Sequence, residues 1–151
     1  MSRNVSVQKR TERPSAAIRV RGAVEQLPSI FAEGFTEIVT YLERAGVAPT
    51  GAPYATYFNR DMQDLDIELG FPVARPVSGD GRIQSSSIPG GDWLIAMHVG
   101  PYDQVGPVYD EIEREAAESG RELVGTAYEF YFDPAETPPE ETRTEIGMPL
   151  K

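Results

Sequence analysis

The sequence predicts an α+β fold built from two copies of one supersecondary unit. Gly51, Tyr54, Tyr57 and Phe58 in GAPYATYF match Gly125, Tyr128, Tyr131 and Phe132 in GTAYEFYF at one constant spacing. LGFPV is answered by IGMPL, which pairs Gly70 with Gly147 and Pro72 with Pro149; RVRG meets AMHVG at Gly22 and Gly100. Glycines, aromatics and a strand-ending proline kept in order imply duplication of a whole unit. Each copy also holds one stretch of helical period flanked by alternating segments. Such elements become stable when helices cover one face of joined strands.

The elements follow in order. NVSVQK (4–9) alternates and reads as a strand. Pro14-Ser15 reads as a break, and 16–20 as a second strand ending at Gly22. Leu27, Ile30, Phe31, Phe35, Ile38, Val39 and Leu42 recur at helical spacing. Pro28 suits that helix's first turn, and Gly46 its C-terminal cap. Residues 54–59 and 65–73 read as strands, the second with acids and aliphatics alternating in DLDIELGF. PVSGDGR (76–82) is rich in turn formers and reads as the link between halves. The halves are therefore placed at about 1–77 and 82–151 of a single domain. In the second, 93–99 reads as a strand after a Gly90-Gly91 hairpin turn. Tyr102 to Gly120 reads as a helix carrying Val105, Val108, Tyr109, Ile112 and Ala116 on one face. Residues 128–132 and 142–148 close the unit. The proline-rich loop 133–141 between them is read as non-helical.

Composition narrows the function. There are 151 residues, no cysteine, and a formal net charge of −10. No thiolate site or disulfide is available, and no apolar run reaches the ~20 residues of a membrane span. No leader is read in the first ten residues, and a cytoplasmic location is expected. The acidity argues against direct nucleic-acid binding, which needs clustered Lys and Arg, and favours cationic ligands. The charge is uneven. Arg3, Lys9, Arg10, Arg13, Arg19 and Arg21 make the N-terminal segment basic, while the stretch after Asp103 is acidic. No phosphate-binding loop, nucleophile elbow or helix-turn-helix is found. No cofactor or metal is expected. His98 is the single histidine and reads as a satisfied strand residue.

The two copies differ at one telling position. Glu129 stands among Tyr128, Phe130 and Tyr131 where the first copy has Ala55. Strand alternation puts Tyr128, Phe130 and Phe132 on one face, and Glu129 and Tyr131 on the other. The same count puts Tyr57 on the equivalent face. A carboxylate among rings attracts a delocalised cation, and each ring adds about 0.5–2 kcal/mol of cation–π attraction. If buried, its pKa rises, which also suits a general base. Tyr131 and Tyr57 are the better ring candidates; Tyr54 and Trp93 are further candidate surfaces. The remaining aromatics read mainly as core. Glu68 and Glu145 match in the repeat and read as structural.

The second half resembles a known family. HVGPYDQVGPVYDEIEREAAESG, followed by GTAYEFYFDPAETPPEETRTEIGMPL, is similar to the C-terminal half of GyrI-like small-molecule-binding domains. These include gyrase-inhibitor-like proteins and the effector-binding domains of BmrR- and Rob-type regulators. The first half resembles the same unit more loosely. The resemblance implies tandem β-α-β-β units forming one antiparallel saddle-like sheet, with two long helices and a central ligand cleft. It also implies that Glu129 contacts lipophilic cations. The chain is thus expected to be a stand-alone, broad-specificity binder of aromatic or cationic small molecules. The family also includes stand-alone proteins similar to hydrolases of cyclopropane-containing cytotoxic compounds, so the resemblance implies Glu129 as a general base as the alternative. An acidic protein-interaction module, with an unidentified protein partner, is the third reading.

Overall fold

A computed structural model describes residues 4–134 and 136–151. Arg3, counted in the basic segment, and Ala135, in the proline-rich loop, lie outside the described residues. The chain divides into two compact units, each an antiparallel four-stranded sheet with one helix. The α+β class and antiparallel pairing expected from the sequence are present.

The first unit spans Glu12–Pro89. It contains β2 (Arg13–Gly22), α1 (Leu27–Ala45), β3 (Tyr54–Tyr57), β4 (Leu65–Pro72) and β5 (Ile83–Ile88), with sheet order β3-β4-β2-β5. The second combines the chain up to Thr11 with Gly90–Lys151. It contains β1 (Val5–Arg10), β6 (Gly91–Val99), α2 (Gly106–Ser119), β7 (Ala127–Tyr131) and β8 (Arg143–Pro149), with order β1-β6-β8-β7. Both units place the strand before the helix next to the last strand of the repeat.

These boundaries correct the halves expected at 1–77 and 82–151. β1 joins the later unit, where Val5–Arg10 runs antiparallel to Ala96–Gly91. β5, read as the start of the second copy, pairs with β2 of the first. Each edge strand has crossed to the other repeat, which sequence order alone cannot reveal. The 76–82 segment therefore turns within the first unit, closed by an Asp80–Ile83 bridge. Gly90-Gly91 is the passage between units and makes no hairpin, because β5 and β6 do not pair. Pro14-Ser15 does not break the chain either. Pro14 is the second residue of β2, and its carbonyl accepts the Val73 N–H. A proline near a strand's start sacrifices little of the ladder.

Both helices end as expected, on Gly46 and Gly120 in the left-handed conformation (φ 69° at each). The second helix is shorter than its periodicity suggests. A 3-10 turn at Tyr102–Gln104 precedes α2, and another at Pro139–Glu141 interrupts the loop read as non-helical.

Alternation sorts each sheet into two faces. In the later unit, Leu94, Ala96, Ala127, Ile146 and Met148 face α2 and form a core with Ile112 and Ala116. The opposite face carries Trp93, fully buried, with its ring 4.8 Å from Tyr128 and 6.3 Å from Phe130. Trp93 lies over Gly147, where a Cβ would come within 2.7 Å of the indole. Gly147→Ala is therefore expected to destabilise the protein by about 1–3 kcal/mol through overpacking, read as a lower denaturation midpoint. Tyr54 lies over Gly70 in the same way, with 2.8 Å to an added Cβ. The basic N-terminal segment finds acidic partners in both units, and one of these pairs reaches the acidic later stretch. Arg10 reaches Glu145 at 2.7 Å, while Arg19 and Arg21 pair with Asp66 and Asp64 on and beside β4. Glu68 accepts bonds from Tyr54 and Ser86, so both repeat-related glutamates are tied into their sheets.

Candidate functional site

β7 has the sequence AYEFY, and its alternate residues Ala127, Glu129 and Tyr131 face α2. Glu129 is 7% exposed. Burial at this depth requires partners, because an unpaired carboxylate would be strongly penalised. Two phenols supply them. The Tyr109 hydroxyl, from α2, donates to Oε2 at 2.6 Å. The Tyr131 hydroxyl, two residues along β7, donates to Oε1 at 2.9 Å. Burial raises the Glu129 pKa above its ordinary value. The Tyr109 and Tyr131 hydrogen bonds, and the charge of His98, pull the other way. Burial outweighs those opposing effects, so the net direction is upward.

The surroundings are aromatic on one side and polar on the other. The Tyr102 ring meets Tyr131 edge-on at 5.7 Å between centroids and is half exposed. Its phenol is pushed up by burial and by the negative charges of Asp133 and Glu129, so it stays neutral at physiological pH. On the polar side, His98 places Nε2 2.8 Å from the Pro101 carbonyl, which makes that nitrogen the donor. Thr144 lies between His98 and Tyr131 in the strand register. A depression of about 340 Å³ opens beside this cluster, lined by Pro101, Tyr102, Asp103, Pro134 and Pro139 among others. Its walls are held by turns and by the Gly100 N–H, which donates to the Thr142 carbonyl at 2.8 Å. Tyr102 lines the depression and also touches Tyr131, so one ring joins the open surface to the buried carboxyl.

The structure brings together only part of the expected site. Glu129 and Tyr131 are joined by a hydrogen bond. Tyr57, half-buried on β3, belongs to the other unit and lies on the face that α1 covers, as alternation predicts. Tyr54 and Trp93 do not fit the role of ligand surfaces. Both are fully buried, on the faces turned away from α1 and α2. Tyr54 is committed to Ser15 at 2.8 Å and to Glu68 at 2.9 Å. Tyr109 is the site residue that sequence reading left among the core aromatics. A signal for it existed. Tyr109 matches Phe35 at the spacing that relates Ala55 to Glu129, so the second copy gains a hydroxyl and a carboxylate together.

No group of three or more metal-ligating side chains converges among the described residues. No described helix is long and apolar enough to cross a membrane.

A model of the GyrI-like small molecule binding domain matches residues 3–151. The chain belongs to the GyrI-like family. No curated protein sequence matches it significantly. The C-terminal domain of EcmrR superposes with a TM-score of 0.82 at 19% identity, covering 97% of this GyrI-like chain and 96% of that one. In the EcmrR–DNA complex the match covers 97% of this chain and 57% of the EcmrR chain, so it spans little more than half of that regulator. A hydrolase from Listeria innocua matches with a TM-score of 0.69 at 14% identity, covering 99% and 92%. SAV2435, solved with tetraphenylphosphonium, matches with a TM-score of 0.65 at 12% identity, covering 97% and 93%. At these identities the likeness is one of fold.

Proposed function

We propose that this GyrI-like domain is a cytoplasmic, broad-specificity binder of aromatic, lipophilic cations, and that Glu129 carries the charge recognition. The observation behind this reading is the buried carboxyl held by two phenols and bordered by aromatic rings. A ligand cation would replace part of the lost hydration of the carboxylate. Tyr131 and Tyr102 would offer cation–π and stacking contacts. Such contacts place loose demands on geometry, which suits many ligands. Tyr57 remains a candidate ring surface of its own unit. The tetraphenylphosphonium held by SAV2435, a protein of similar fold, is in keeping with this chemistry.

Fluorescence titration with rhodamine 6G, with competition by tetraphenylphosphonium, tests the reading. Saturable, mutually competitive binding is expected. A folded protein that binds neither cation would refute it.

A hydrolytic reading uses the same carboxyl. Ionised Glu129 would take a proton from water as the water oxygen bonds to a cyclopropane carbon. The strained C–C bond would break toward a conjugated acceptor, which a neighbouring phenol protonates; Glu129 returns the proton to that phenol. The expected outcome with a cyclopropane-bearing alkylator is binding with no product one water heavier in the mass spectrum. Accumulation of that product, lost in Glu129→Gln, would replace binding by turnover.

A further inference from the structure

We infer that Thr144 is a specificity residue of the Glu129 site, and that the site favours cations bearing an N–H over quaternary ones. This inference rests on the reading of Glu129 as a cation site.

Thr144 is fully buried on β8, and its Oγ1 has no hydrogen-bond partner among the described residues. It stands opposite His98 on β6 and opposite Tyr131 on β7. Its face of the sheet is the one covered by α2, because Ile146 and Met148, two and four residues on, belong to the α2 core. Glu129 is on the same face, paired with Ile146, one row along. His98 and Tyr131 have spent the groups for which partners are seen, on the Pro101 carbonyl and on Glu129. The Thr144 hydroxyl is the uncommitted member of the row.

A buried hydroxyl without a partner is destabilising. Valine has nearly the same shape, is at home in a strand, and would remove the cost. What sets Thr144 apart is its place one row from Glu129, where its hydroxyl is available to a group that arrives. Its oxygen accepts an N–H. A primary ammonium, amidinium or guanidinium at Glu129 can direct one N–H to the carboxylate and another to Thr144. A trimethylammonium or phosphonium has none to give. Sites built around a hydrogen bond discriminate against analogues that lack it more sharply than apolar pockets do.

The test is a matched pair, 1-naphthylmethylammonium and its N,N,N-trimethyl counterpart, titrated calorimetrically. The parent is expected to prefer the primary ammonium by about tenfold. Thr144→Val should abolish that preference while leaving the trimethyl affinity within about twofold, and Thr144→Ser should keep it. Thr56→Val serves as the control. Thr56 carries the other unpartnered buried hydroxyl among the described residues, on the face of its sheet turned away from α1. Its loss should leave the preference intact. A preference unchanged in Thr144→Val would overturn the inference and leave the cation reading standing. A fall of several degrees in the melting temperature of Thr144→Val would also overturn it, by showing that the hydroxyl serves the fold. Failure of the parent to bind either cation would take down both readings.

Discussion

Glu129→Gln is expected to weaken binding of lipophilic cations about tenfold or more, and binding of a neutral aromatic of similar size by less than about threefold. Two unit charges 4 Å apart attract by about 4 kcal/mol at an effective dielectric near 20, and desolvation returns part of that. Glutamine keeps the volume, so no cavity confuses the result. It also keeps a carbonyl oxygen for one of the two tyrosines, while the other hydroxyl turns to accept from the new amide. Fold stability should hold or rise, because a buried ionisable group has been removed. Titrations of rhodamine 6G and of a neutral ring compound, run in parallel on parent and variant, read the two effects separately. Equal losses in both ligand classes would assign Glu129 a steric role and remove charge from the recognition.

The sequence carried this site because the chemistry is local. Glu129 and Tyr131 are two apart on one strand, and a period of two suffices to place them together. The contrast with Ala55 isolates the charge without any knowledge of the fold. Tyr109 was harder to see. It approaches from a helix, where an aromatic on the apolar stripe looks like core, and only its hydroxyl betrays another use. Trp93 and Tyr54 misled for a related reason. Their strands are buried on both faces around these rings, so hydrophobicity alone does not say which face meets the helix. Pairing settles it, through the glycines beneath each ring. The exchange of β1 and β5 between the repeats was beyond local reading altogether. Both are short and largely exposed, and their partners lie more than one element away along the chain. Thr144 shows the same limit at the level of one atom. Threonine in a strand is unremarkable in sequence, and its missing partner exists only in three dimensions.

Cation affinity is expected to rise with pH from the ordinary carboxyl value of 4.5 upward, while the stability of the unliganded protein falls across the same window. Both follow from one fact: burial raises the Glu129 pKa in the folded state. Between the unfolded and the folded pKa, the folded protein holds a proton that the unfolded chain has released. Raising the pH there favours the unfolded chain, by up to about 1.4 kcal/mol per pH unit from this single group. On the proposed reading, a cation that binds the ionised carboxylate would have to displace that proton. Its affinity should climb up to about tenfold per pH unit and level off above the folded pKa. The opposite slope belongs to Asp64, Asp66 and Asp133, which Arg21, Arg19 and Arg143 hold below the usual carboxylate value. Their contribution is complete above 3.8 and is lost only in more acid solution, so the two trends occupy different windows. Calorimetry in two buffers of different ionisation heat measures the released proton directly. Release should appear in the parent, vanish in Glu129→Gln, and persist in His98→Gln, because His98 influences Glu129 through charge and does not hold the proton in question. An affinity flat across the window, with no proton released, would mean that Glu129 is already ionised before the ligand arrives, its two phenols outweighing its burial.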